Sequence, residues 1–146
     1  MFPEDVRELA EAVLDRARAA GATIAGSSDV VEGGLVTYSN AAKTELLGVD
    51  AGLIAGFGAV SKEVARAMAT GAVRRLGVGF AVAITGIAGP GGGSPEKPVG
   101  LVHFASSDSA GATRHLEMRF GDIGRDEVRM ASVKVALQML LERLGG

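Results

Sequence analysis

Cysteine is absent from this 146-residue chain, which rules out disulfides, thiol nucleophiles and cysteine-held metals. Tryptophan is absent too, and aromatic residues make up only 4% of the sequence. A core must therefore be built from valine, leucine, isoleucine, alanine and methionine. The formal charge of −2 gives no electrostatic case for nucleic acid or an anionic membrane. No apolar run reaches the ~20 residues that span a bilayer. The opening Met1-Phe2-Pro3-Glu4-Asp5 has neither the basic region nor the apolar stretch of a secretory leader. A cytoplasmic location is the resulting expectation. His103 and His115 stand isolated in the sequence and do not compose a metal site, so no metal is expected.

What is plentiful is small and aliphatic. Hydrophobic residues reach 47%, and the 22 glycines imply tight turns and close backbone approach. The length suits one domain, 1–146. In order, the pattern predicts a helix over 3–20, with Val6, Leu9, Ala10, Val13, Leu14 and Ala17 as its stripe and Gly21 as its stop. Residues 22–25 read as a short strand and 33–39 as a longer one. Asn40 is a candidate N-cap for a helix over 41–47 closed by Gly48, and 50–54 adds about a turn. Ser61 opens a helix running to about Leu76. Strands follow at 79–85, 99–106 and 112–119, and the short polar link Ser107–Gly111 makes the last two an antiparallel hairpin. A final helix covers about 124–143. Strands interleaved with helices, several of them wholly apolar, predict an α/β fold of three layers, α/β/α, around one mixed β-sheet.

Between two of those strands lies Thr85-Gly-Ile-Ala-Gly-Pro-Gly-Gly-Gly-Ser-Pro-Glu-Lys-Pro-Val-Gly100, with six glycines and three prolines. That composition suits neither a helix nor a strand interior. It is either a long connection or a set of exposed backbone N–H groups suited to an anion or a carbonyl. Neither the Gly-x-x-x-x-Gly-Lys-Ser/Thr nor the Gly-x-Gly-x-x-Gly fingerprint occurs in it.

Tyr38, the only tyrosine, stands at the end of a predicted strand, and Lys43 follows five residues on in a first helical turn. There the positive end of the helix dipole disfavours an ammonium, and burial would push the pKa further toward that of a usable base. The same spacing also fits a solvated lysine beside a tyrosine. Arg125 and Arg129, one turn apart, either clamp a phosphate or pair on the surface with Asp122 and Asp126. Lys97 has the same two readings. Ser27, Ser28, Ser94 and Thr85 are nucleophiles by type only. None stands in a Gly-x-Ser-x-Gly elbow or a Ser-x-x-Lys, and each also suits a turn or cap.

Several motifs then fall in a recognisable order: Val36-Thr-Tyr-Ser-Asn-Ala-Ala-Lys43, Leu46-Leu-Gly-Val49, Gly58-Ala-Val-Ser61 with Glu63-Val-Ala-Arg-Ala-Met68, Thr85-Gly-Ile-Ala-Gly-Pro-Gly-Gly-Gly93, and Lys97-Pro-Val-Gly100. Together they resemble the CinA C-terminal family, the deamidase domain of the competence-damage protein, over essentially the whole chain. The resemblance implies a metal-free and cofactor-free amidohydrolase that converts nicotinamide mononucleotide to nicotinic acid mononucleotide and ammonia. In that family a serine attacks the amide, assisted by a tyrosine and a lysine, which match Tyr38 and Lys43 here. Asn40, Thr85, Gly86, Gly89, Gly91, Gly92 and Arg125 are the implied substrate-binding residues. The implied partners are a small-molecule nucleotide and a second copy in a homodimer, with no nucleic acid and no membrane.

One departure bears on activity. The family carries Glu-Ser-Cys-Thr-Gly-Gly and a helix directly after the strand that matches Ala22–Ala25, whereas here Ala25 runs straight into Gly26-Ser-Ser-Asp. The nucleophilic serine and its neighbouring glycines are missing between Ala25 and Gly26. Parallel neighbours need a crossover of roughly a dozen residues or more, and only residues 26–32 remain. Three functions follow: an amidohydrolase whose serine segment is omitted from this sequence, a catalytically inactive nucleotide-binding or regulatory module, or a purely structural or interaction domain.

Overall fold

A computed structural model of the chain describes residues 3–19 and 31–145. Helix α1 (Glu4–Ala19) begins with Glu4 and Asp5, acids that favour a helix N-terminus. The expected strand at 22–25, together with Ser27 and Ser28, lies outside the described residues. Residues 31–38 correct the reading of 33–39 as a strand, because they pair with nothing among the described residues. Val36 and Tyr38 are each 87% exposed. Alternating apolar residues favour an extended chain, but a strand exists only when a neighbour takes up its N–H and C=O groups.

Helix α2 (Asn40–Leu47) is capped by Ser39, not Asn40. Ser39 is extended (φ −94°, ψ 161°), and its Oγ accepts from the Ala42 N–H at 3.0 Å. This geometry satisfies a first-turn donor and leaves Asn40 as the first helical residue. Asp50 caps α3 (Ala51–Phe57) in the same manner, so this helix outruns the single expected turn. Ser61 caps α4 (Lys62–Leu76), as its sequence position predicts.

The sheet consists of β1 (Phe80–Gly86), β2 (Leu101–Asp108) and β3 (Thr113–Arg119) in the order β1-β2-β3, with both pairings antiparallel. The α/β class and the predicted hairpin hold. Among the described residues the sheet is antiparallel rather than mixed, since the parallel pairings rested on 22–25 and 33–39. β2 is the centre, buried from Leu101 to Ser107. Its alternate residues enter two cores. Val102 and Phe104 meet Val128 and Met139 of α5 (Arg125–Arg143) on one face. Ala105, with Ala83 of β1, meets Val64, Ala65, Met68 and Ala69 of α4 on the other. Helices on both faces of one sheet make the three layers expected. Full burial of Phe104 alone is worth about 1.5–3 kcal/mol.

The outer helices are held by specific contacts. α2 crosses α4 so closely that a Cβ on Gly71 would overlap the Leu47 carbonyl. α1 packs on α5, where Asp5 and Lys134 form an ion pair. At the end of α5, the half-buried Arg143 donates to Ser106 Oγ (3.0 Å), Asp108 Oδ2 (2.9 Å) and the carbonyls of Ser106 (3.0 Å) and Ala112 (2.7 Å). That guanidinium ties the helix end to the β2–β3 hairpin.

Candidate active site

Lys43 projects from α2 into the protein, where only 6% of it is exposed. Its Nζ donates to the Thr37 carbonyl at 2.7 Å. That oxygen belongs to the peptide bond that leads into Tyr38, so the amine sits one residue from the phenol-bearing position. No carboxylate among the described residues stands within ion-pair distance of it. Burial alone therefore holds the Lys43 pKa below that of an ordinary lysine. Tyr38 itself points outward, and Asn40 is exposed on the first turn of α2. Tyr38 also borders a mainly apolar trough of about 640 Å³ between residues 31–38 and β1, whose walls include Leu47, Met68, Ala83 and Ile84. Lys43 and the glycine-rich loop do not line that trough.

The loop after β1 is built separately and firmly. Thr85 is buried, and its Oγ1 donates to the Ala59 carbonyl at 2.8 Å. Ile87 N–H to Leu101 O (2.9 Å) and Gly100 N–H to Ile87 O (2.7 Å) close the neck. Gly86 ends β1, where a side chain would press on Val102 and the Leu101 carbonyl. Gly89 is buried, joined to Pro90 by a cis peptide, and its carbonyl accepts from Arg125 Nε at 2.7 Å. Lys97 Nζ donates to the Phe57 carbonyl at 2.6 Å, and Lys97 N–H to Ser94 Oγ at 3.1 Å. Arg125 and Lys97 thus act as struts, while Arg129, Asp122 and Asp126 are exposed. At the tip, Gly91 and Gly92 are exposed, and the N–H groups of Gly91, Gly92 and Gly93 donate to no described acceptor. Such a run of free main-chain donors suits an oxyanion or a phosphate.

The two halves rest on one apolar cluster. Leu35 and Leu47, flanking the Tyr38–Lys43 half, pack with Ala59 and Ala83 below the loop. Sequence reasoning treated His103 and His115 as isolated, whereas the rings touch, with His103 Nδ1 and His115 Nε2 2.9 Å apart. The hairpin already expected for these strands puts both on one face, and that signal would have found them. Among the described residues no group of three or more metal-ligating side chains gathers, and no helix is long and apolar enough to cross a membrane.

Comparison with known proteins agrees with this arrangement. A family model described as the CinA C-terminal domain matches residues 8–144. A CinA-like protein of Mycolicibacterium vanbaalenii is 57% identical over 122 residues, which is 84% of this chain and 29% of that protein. A CinA-like protein of Synechococcus sp. is 55% identical over 118 residues, covering 80% of this chain and 28% of its own length. The chain thus spans less than a third of these curated relatives. The crystal structure of competence/damage inducible protein CihA from Agrobacterium tumefaciens superposes with a TM-score of 0.89 at 47% identity, covering 100% of this chain and 99% of that one. Competence damage-inducible protein A from Klebsiella pneumoniae gives 0.84 at 28% identity, with 96% and 97% covered. Motif order, helix–sheet arrangement and these matches run together along nearly the whole chain, which therefore belongs to the CinA C-terminal domain family.

Proposed function

We propose that the chain is an amidohydrolase that converts nicotinamide mononucleotide to nicotinic acid mononucleotide and ammonia. The observation that carries this reading is Lys43, buried beside the Tyr38 peptide with a main-chain carbonyl as its acceptor and its pKa lowered. A lysine in that state is a proton acceptor nearer to neutral pH than a solvated one. A hydroxyl attacks the carboxamide carbon and gives its proton to the neutral Lys43 amine. The C–N bond then breaks, and the nitrogen leaves as ammonia with that proton. Water hydrolyses the resulting ester to the acid, so the net reaction is amide plus water to acid plus ammonia. Tyr38 orients the proton transfer. The free N–H groups at the tip of the loop, with Arg125 fixing Gly89, form the nucleotide side of the site.

The test is ammonia release from nicotinamide mononucleotide. Lys43→Ala and Tyr38→Phe should each lower it, the lysine change by roughly 10²–10⁴-fold as expected for a general base. Full activity in either variant rejects the role assigned to that residue.

The direct passage from Ala25 to Gly26, without the family's serine segment, favours a second reading: a nucleotide-binding or regulatory module without turnover. It predicts calorimetric binding of a pyridine nucleotide with no ammonia at any protein concentration. The mass of the purified protein separates the two cases, since the sequence as it stands gives 14.8 kDa and an omitted serine segment gives more.

A further inference from the structure

β2 and β3 set His103 and His115 side by side on the face of the sheet beneath α4. His103 lies opposite Glu117, and His115 opposite Ala105, so the two imidazoles meet on a diagonal. Their nitrogens are 2.9 Å apart and their ring centroids 5.2 Å apart. At that separation one ring donates and the other accepts. The remaining nitrogen of His103, Nε2, is 3.7 Å from Glu117 Oε1. One added proton can be shared by the rings, with Glu117 as its counter-charge. A second proton removes the only acceptor and leaves two imidazolium ions in contact.

The surroundings oppose that second proton. Glu117 and Arg119 on β3, Lys62, Glu63 and Arg66 on α4, and Lys97 from the glycine-rich loop all act on the pair, so cations outnumber carboxylates. Arg66 Nε is buried without a partner. The same excess of positive charge argues against a metal cation between the rings. Burial is the main cause that lowers the pKa of each histidine below its ordinary value.

The pair is wired to the loop at two points. His103 is the cross-strand partner of Thr85, whose hydroxyl holds the Ala59 carbonyl at the loop's root. Lys97, the strut on Phe57, is among the cations whose charge lowers the His103 pKa. We propose that His103 and His115 form a proton-operated latch under the glycine-rich loop. With one proton or none, the rings stay hydrogen-bonded and the loop stays braced. With two, the rings part, their charge repels the Lys97 ammonium, and the loop opens. The latch needs no assumption about the ligand the loop receives.

The chain holds only two histidines, so their imidazole proton resonances report the pair without overlap. A titration of the full chain by NMR from pH 8 to 4.5 should show two steps more than about one pH unit apart. The backbone amides of 87–100 should shift and exchange faster with the lower step alone. Two independent titrations near the ordinary value of ~6.5 overturn the proposal, as do loop amides that follow neither step. His115→Gln keeps a hydrogen-bonding group against His103 but cannot take the second proton. In that variant the lower step should vanish and the loop should stay closed throughout the folded range. Opening at an unchanged pH overturns the latch. Should the variant not fold, the wild-type titration decides the question by itself.

Discussion

Residues 87–100 and residues 31–38 are both irregular, yet the molecule holds them in opposite ways. The first is closed at its neck by two main-chain bonds and braced by Thr85, Lys97 and Arg125, each donating to a backbone carbonyl. The second lies open, with Val36 and Tyr38 almost wholly exposed, and its described ties to the core are the Leu35 side chain and the bond from Lys43 Nζ to Thr37. Irregular backbone is thus held by side-chain bonds to carbonyls, one within the loop at Gly89 and two in the neighbouring segment at Phe57 and Ala59, rather than by secondary structure. The comparison also separates two kinds of cation. Lys97 and Arg125 reach main-chain carbonyls from half-buried or exposed positions, while Lys43 does so from a buried one, and burial lowers its pKa.

The contrast can be broken most directly at Gly100. Its φ of +90° and the backbone of Gly121 packed against it leave no place for a Cβ. Gly100→Ala should therefore lower stability by about 3 kcal/mol or more in urea unfolding. A loss below about 1 kcal/mol would mean that the loop is no stiffer than residues 31–38. Lys97→Met removes the strut on Phe57 and should cost about 1 kcal/mol, a partly exposed hydrogen bond's worth. Faster amide exchange confined to 87–100 would be its signature.

A pH-dependent effect comes next. The folded pKa of Lys43 lies below its unfolded value, so the unfolded chain binds this proton more tightly. The stability Lys43 provides is fully present above the unfolded pKa of about 10.4 and is lost as pH falls through the folded value. The stability of wild type relative to Lys43→Met should accordingly rise as the pH approaches about 10.4 from below in parallel urea titrations. A flat difference would show that the amine is not desolvated. The smallest effect is expected at Gly34, where an added Cβ meets nothing within 4 Å. Gly34→Ala should change stability by no more than about 0.5 kcal/mol, and a large loss there would show that residues 31–38 are fixed after all.

Much of the framework was legible from local pattern. The helices at 62–76 and 125–143 and the hairpin of β2 and β3 lie within a few residues of their expected bounds, because amphipathic period and turn chemistry act over short range. The lowered pKa anticipated for Lys43 from a helix start and from burial is found, with burial as its cause. That 33–39 would meet no partner among the described residues was not legible, since pairing is decided by tertiary context rather than by local pattern. Lys97 and Arg125 look the same in the sequence whether or not they brace carbonyls; only the positions of Phe57 and Gly89 reveal those bonds. Asn40 and Ser39 are both good caps by type, and one residue's φ and ψ decided between them.

Arg143 shows how much a single residue at a helix end can govern. Its planar fork serves a hydroxyl, a carboxylate and two carbonyls at once, up to 37 positions away along the chain. An ammonium is one point of charge and could not replace that fork. Residues 106, 108 and 143 should therefore drift through evolution only as a set, with any exchange at one answered by the others.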